Sequence, residues 1–219
     1  MTVKQILKEM RASASEPGAV GNLTVTIDIV LDAMKKVMAL KYADYGPDNI
    51  LAFGEEGVLV RMYDKFSRWN NLERTNKEPS VKEESLVETA VDLANYCIIA
   101  VLVKRSVWGS SWEKEPDGYT FPDMCLREQV ELELGLGTGV LYNRFLDSEN
   151  AILSPRTMGA LLSDAKEQLD GLRRDVWRTE NLSEAHQWSD LFSVALYTVL
   201  LLLDACDRKV AFRDEFRAA

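Results

Sequence analysis

The chain has 219 residues, of which 47% are hydrophobic, so it can fold around one large core or two small ones. Its formal net charge of -9 at pH 7 argues against general binding to duplex nucleic acid, because like charges repel. The 3 cysteines form no CxxC pair and there is 1 histidine, so neither a disulfide framework nor a zinc site is predicted, and a reducing compartment is expected.

The N-terminal part of the chain predicts two helices. Residues 1–12 carry a short amphipathic pattern, and residues 23–40 repeat apolar side chains at three- and four-residue steps, as one buried helix face requires. Gly46 and Pro47 stop a helix, so the segment 41–45 is expected at or just past the C-terminal end of the longer one.

Two further helices are predicted before residue 105. One begins at about residue 50 or 55 and ends at about residue 72, where polar residues interrupt the apolar pattern. The next follows Ser80, which forms a capping-box pattern with Glu83, and its apolar periodicity covers residues 86–103. Short polar turns between these helices favour an antiparallel helical bundle.

The second half of the chain predicts more helices after an irregular, aromatic-rich stretch at residues 106–124. The expected helices are 126–134, 140–146, 157–178 and 183–209. No alternating strand pattern competes with them, so we predict an all-α fold, either one bundle or two packed helical halves. The expected divisions are 1–105, 106–125 and 126–219.

No membrane segment or export signal is predicted. The N-terminus lacks the apolar core of a signal peptide. The longest uncharged apolar run, residues 191–203, is shorter than the roughly 20 residues that span a bilayer. We therefore expect a cytoplasmic protein.

An acidic stripe runs along the predicted helix that follows Ser80. Glu84, Glu88 and Asp92 are four residues apart and fan over about 80°, so the three carboxylates share one side. Like charges at this spacing repel, so partners are expected. Two interpretations stay open: a face that is solvated or ion-paired, and a site for a hard divalent cation such as Mg²⁺.

The preceding helix carries the complementary charges. Arg61, Lys65 and Arg68 lie with Asp64 within a sector of about 100°, and Glu56 lies on an adjacent edge. Opposed across a bundle, the two faces are expected to form one polar pocket with carboxylates for a metal and cations for phosphate.

Three motifs in these helices resemble the phage and bacterial family called nucleotide modification associated domain 1. They are KYADYG at residues 41–46, GVLVRMYDKFSR at residues 57–68, and ESLVETAVDLANY at residues 84–96. They match a DYG element, an R-x-x-D-K-x-x-R helix and an ES-x-x-[DE]-T-x-x-D-x-x-x-Y helix, in that order. The resemblance covers roughly residues 30–105.

The family resemblance implies a role in deoxynucleotide metabolism. A looser similarity to the MazG-type all-α nucleoside triphosphate pyrophosphatases implies Mg²⁺ or Mn²⁺ as cofactor and a homo-oligomer. The expected metal ligands are Glu84, Glu88 and Asp92, with Glu56 or Asp64. The cations expected to stabilise the leaving group are Lys65, Arg61 and Arg68. The residues expected to bind the nucleotide are Lys41, Asp44, Tyr45, Asn95 and Tyr96.

The expected function is therefore a Mg²⁺-dependent pyrophosphohydrolase acting on a nucleotide, or a related nucleotide-processing protein. The expected substrate is a deoxynucleoside triphosphate, and the protein is expected to be encoded by a phage and present in the host cytoplasm. Two alternatives stay open. One is a non-catalytic nucleotide-binding or adaptor protein that uses the same pocket. The other is a structural helical protein whose charges form salt bridges between helices.

Overall fold

A computed structural model describes residues 1–19, 23–75, 85–104, 108–109, 114–115, 118–119, 158–176, 195, 198–199 and 203. The helices of these residues are α1 (Val3–Ala14), α2 (Leu23–Tyr45), α3 (Asp48–Leu51), α4 (Gly54–Thr75), α5 (Leu86–Lys104) and α6 (Met158–Val176). The two-residue strands β1 (Lys114–Glu115) and β2 (Gly118–Tyr119) pair antiparallel. The prediction of an all-α fold is confirmed.

The helix that starts at residue 23 is longer than its apolar pattern predicts. It continues past residue 40 to Tyr45 and ends where Gly46 takes a φ of 65° and donates its N–H to the Tyr42 carbonyl at 2.8 Å. A left-handed glycine after the last turn is a common helix end. The segment 41–45 therefore forms the last turn of α2, which gives Lys41 a helical position.

The helix predicted to begin at about residue 50 or 55 is divided. A single turn, α3, comes first, and α4 starts at Gly54, whose φ is 55°. We call the turns that join α2, α3 and α4 the elbow. The ring of Trp108 packs edge-on against Tyr42, in the last turn of α2, with 5.4 Å between the ring centroids. At Gly109 a Cβ atom would lie 2.7 Å from Cβ of Pro47, so the chain after α5 approaches the elbow closely and holds it in place.

The core lies between α4 and its neighbours. Helix α4 packs against α5 on one side and against α6 on another, and α1 packs along α2. Among the side chains that the structure describes, the largest fully buried ones are Trp69, Met34, Met62, Leu93, Ile98, Leu102, Leu169 and Leu172. Burying side chains of this size stabilises a fold by roughly 1.5–3 kcal/mol each, which fixes the helix faces that meet.

Several predictions concern residues beyond those described. They are the capping box of Ser80 and Glu83, the helices 126–134 and 140–146, and the domain divisions around residue 125. Of the predicted helix 183–209 the structure describes residues 195, 198–199 and 203, which are helical. The predicted helix 157–178 corresponds to α6. The strand pair β1 and β2 lies in the stretch predicted to be irregular, where the sequence analysis expected no strand. No helix among the described residues is both long and apolar enough to cross a membrane.

Candidate functional site

Helix α5 buries polar side chains in an otherwise apolar surface. Thr89, Asp92 and Asn95 are 1%, 3% and 5% exposed, and they follow one another at three-residue steps along the helix. Buried polar groups are costly unless they are paired, so each is expected to meet a partner on a neighbouring helix. The partners come from α4 and α2.

Asp92 holds two lysines from two different helices. Lys41 Nζ at the end of α2 lies 2.5 Å from Oδ1, and Lys65 Nζ on α4 lies 2.9 Å from Oδ2. The contact with Lys41 is a hydrogen bond, whereas the contact with Lys65 is an ion pair outside hydrogen-bond geometry. One nearly inaccessible carboxylate therefore ties α2 and α4 to α5.

One turn before Asp92, a neutral residue meets the next cation. Arg68 Nη1 donates a hydrogen bond to Thr89 Oγ1. The pairs Lys65 with Asp92 and Arg68 with Thr89 run in opposite chain directions, three residues apart on both helices. Helices α4 and α5 are therefore antiparallel here, with their polar residues in register.

Further polar residues of α5 lie before and after Asp92 along the helix. Glu88 Oε1 lies 3.9 Å from Lys41 Nζ, and the Glu88 side chain is mostly buried. Asn95 Nδ2 donates to the Met34 carbonyl of α2 at 3.3 Å, while its Oδ1 has no hydrogen-bond partner among the described residues. The carboxylates of α5 thus point towards α2 and α4 rather than separately into solvent.

We call Lys41, Lys65, Arg68, Glu88 and Asp92 the three-helix cluster. It contains three cations and two carboxylates, in a chain of net charge -9. The side chains of Lys41 and Lys65 are 32% and 22% exposed, so the lysines reach the surface above the buried Asp92. Lysines that reach solvent in this way can attract an anion.

Of the remaining predicted site residues, those that the structure describes lie outside this cluster. Arg61 donates to the Asn49 carbonyl at 3.1 Å, and Tyr96 is half-buried on α5. The exposed ones are Asp44, Tyr45, Glu56 and Asp64. Glu84 lies outside the described residues.

The two described carboxylates of the cluster face ammonium groups. Mg²⁺ needs oxygen ligands in an octahedron at about 2.0–2.1 Å, and ammonium groups hold the positions next to both Asp92 oxygens. Among the described residues no three Asp, Glu, His or Cys side chains gather in a way that could hold a metal ion. The carboxylates that the structure describes here neutralise lysines.

The opposite side of α4 carries a second polar contact. Tyr63 donates its hydroxyl to Asp170 Oδ1 of α6 at 2.8 Å, and Lys166 pairs with the same carboxylate. Burial, followed by the hydrogen bond to Asp170, raises the pKa of Tyr63 to about 12. The hydrogen bonds from Lys166 and Tyr63 lower the pKa of Asp170. This contact attaches α6 to the helix that carries Lys65.

A groove of about 330 Å³ lies elsewhere, between α1 and α2. Its lining residues are Ile6, Glu9, Met10, Ser13, Asp28, Ile29, Asp32, Ala33 and Lys36. It shares no residue with the three-helix cluster. We place the candidate site at the cluster because a buried carboxylate meets partly exposed lysines of two helices there, whereas Lys36 of the groove pairs with Asp32 of its own helix at 2.7 Å.

The sequence analysis assigned no role to Thr89. Equal spacing on the two antiparallel helices could have indicated it. Thr89 precedes Asp92 by three residues on α5, and Arg68 follows Lys65 by three residues on α4.

Comparison of the chain with family models, curated proteins and solved structures finds no match.

Proposed function

We propose that this protein binds the phosphate groups of a nucleotide at the three-helix cluster. The observation that carries the proposal is the pair of lysines from α2 and α4 on the two oxygens of one buried carboxylate, Asp92. Two ammonium groups that share one carboxylate repel each other, and a negative charge between them offsets that repulsion. Asp92 supplies that charge from below, and a phosphate would supply it from the solvent side.

The chemistry of lysine allows both contacts at once. An ammonium group has three N–H donors, so a lysine that is held by Asp92 can also donate to a phosphate oxygen. Arg68 adds a guanidinium, whose donors suit phosphate geometry. A purely structural ion pair needs one cation for one buried carboxylate, whereas Asp92 meets two lysines, and this favours a ligand over that alternative.

An exposed aromatic residue supports a nucleotide rather than a simple phosphate. Tyr45 follows Lys41 by four residues, so both lie on the same side of the last turns of α2. The Tyr45 side chain is 67% exposed, which leaves its ring accessible for stacking by a base. Membership of the nucleotide modification associated domain 1 family, which the three motifs suggest, is part of this proposal.

Titration calorimetry with each deoxynucleoside triphosphate, with and without Mg²⁺, tests the proposal. We expect binding by the wild type, and roughly 10- to 100-fold weaker binding after Lys41→Met or Lys65→Met, because charge-assisted hydrogen bonds contribute about 1.5–3 kcal/mol. Lys36→Met is the matched control on α2, since Lys36 is also ion-paired but lies in the other groove. Equal affinity in all four proteins would overturn the proposal, as would the absence of any binding by the wild type.

A second candidate is hydrolysis of the bound nucleotide, and Glu88 is the residue that favours it. Its carboxylate is mostly buried and lies beside Lys41, next to the expected phosphates. In this candidate a water oxygen attacks the α-phosphorus and gives its proton to Glu88. The bond to the bridging oxygen breaks, and pyrophosphate leaves with that oxygen's negative charge stabilised by the cations.

Product chromatography separates the two candidates. A hydrolase converts a deoxynucleoside triphosphate to its monophosphate and pyrophosphate, and Glu88→Gln removes this turnover while nucleotide binding persists. A binding protein gives ligand-dependent stabilisation against heat without product, in the presence and in the absence of Mg²⁺.

A further inference from the structure

We propose that Thr89 is a positioning residue that orients Arg68 towards the bound phosphate. This inference rests on the proposed function of the three-helix cluster and adds to it a residue that would not touch the ligand. It acts through one hydrogen bond, from Arg68 Nη1 to Thr89 Oγ1.

The hydroxyl of Thr89 is fully engaged in a defined orientation. It donates its single proton to the Ser85 carbonyl at 3.2 Å, one turn earlier on α5. Its lone pairs are therefore the part that faces Arg68. Ser85 is itself fixed, since its Oγ accepts the Glu88 N–H at 3.2 Å and caps the start of α5. The acceptor for Arg68 is thus set by the end of a helix and does not depend on a mobile side chain.

The oxygen that accepts from Arg68 belongs to a buried side chain. Thr89 is 1% exposed, while Arg68 is partly exposed and reaches it from α4. A side chain as long as arginine samples many rotamers at a surface, and ordering it costs free energy when a ligand binds. Holding one nitrogen of the guanidinium before binding removes part of that cost and aims the rest of the planar group.

The choice of a neutral residue at this position matters for an anion. Three residues later, Asp92 orients Lys65 but also cancels positive charge. Thr89 orients Arg68 without adding a negative charge of its own. The matched three-residue steps place these two contacts about 4.5 Å apart along both helix axes, so that α5 sets the spacing of the two α4 cations.

Calorimetric titration of pyrophosphate into the full chain tests the inference. We expect Thr89→Val, which keeps the shape and removes the acceptor, to weaken binding about tenfold. Thr89→Ser keeps the hydroxyl and is expected to bind like the wild type. In an Arg68→Gln background, Thr89→Val is expected to have no further effect, because its influence passes through the guanidinium.

The outcomes separate this inference from the proposed function. If the wild type binds neither pyrophosphate nor a nucleotide, the proposed function fails. If it binds and Thr89→Val binds equally well, or if Thr89→Val weakens binding as much in the Arg68→Gln background, the inference alone is overturned. The Ser85 carbonyl still accepts the Thr89 N–H at 3.0 Å, so the valine variant leaves it paired. Should that variant fail to fold, Thr89→Cys, with a weak acceptor, takes its place in the same cycle.

Discussion

Replacing Asp92 with asparagine tests whether this carboxylate neutralises two lysines. Asparagine has nearly the same shape, so the packing of α5 is preserved while the negative charge is removed. Its oxygen can accept from one lysine, but its amide group then turns N–H donors towards the other ammonium group. The two cations that Asp92 separates would lose their shared counter-ion, and we expect the fold to become less stable.

The magnitude follows from how deeply each partner is buried. Removing one partner of a fully buried ion pair costs about 3–5 kcal/mol, and breaking an exposed pair costs about 0–1 kcal/mol. Asp92 is 3% exposed, but the side chains of Lys41 and Lys65 are 32% and 22% exposed and can turn towards water. We therefore expect a loss of about 1–3 kcal/mol in the free energy of unfolding.

Urea unfolding followed by circular dichroism measures this loss. With a slope of about 2 kcal/mol per molar urea, the midpoint is expected to fall by about 0.5–1.5 M. Asp64→Asn is the control, since Asp64 is exposed on α4 next to Lys65 and is expected to change stability by less than about 0.5 kcal/mol. Lys65→Met is expected to cost less in the Asp92→Asn background than in the wild type. An Asp92→Asn variant as stable as the wild type would refute the counter-ion role.

Three further predictions concern the contacts around the site. Tyr63→Phe is expected to cost about 1 kcal/mol of stability, because its hydrogen-bond partner Asp170 is partly exposed. The wild type is expected to lose stability between pH 10 and about pH 12, where the unfolded tyrosine ionises before the folded one, and Tyr63→Phe is expected to reduce that loss. Asp170→Asn is expected to flatten the loss of stability as the pH falls below 3.8, because the lowered pKa of Asp170 stabilises the fold only while the carboxylate is ionised; acid titration of thermal unfolding measures this. Gly109→Ala is expected to destabilise the fold by about 1–3 kcal/mol, because the φ of Gly109 is 73° and the new Cβ would crowd Pro47. Thermal unfolding measures the loss, and Gly18→Ala is the control, because Gly18 has open space around it.

Helix periodicity made most of the described fold predictable. Apolar steps of three and four residues locate α2, α4, α5 and α6, because each helix must bury one face. Their ends are less predictable. Lys41 and Tyr45 lie inside α2 because a left-handed Gly46 allows the helix to continue up to it, and the division between α3 and α4 depends on the conformation of Gly54.

The candidate site was only partly predictable. The spacing of Glu88 and Asp92 indicated that both carboxylates share one side of α5, and the sequence also placed Lys65 on the facing helix. It did not show that Lys41 from α2 would reach the same carboxylate, because that contact depends on how three helices pack. The hydrogen bond between Tyr63 and Asp170 joins residues 107 positions apart, and no local pattern indicates it.

Lysine acetylation followed by mass spectrometry, with and without a saturating deoxynucleoside triphosphate, tests the central claim most directly. The account predicts that the nucleotide protects Lys41 and Lys65 in a concentration-dependent way. Lys36 is the internal control, because it is also ion-paired yet lies outside the three-helix cluster, and its reactivity is expected to stay constant. Unchanged reactivity of Lys41 and Lys65 at nucleotide concentrations that saturate binding would contradict the account.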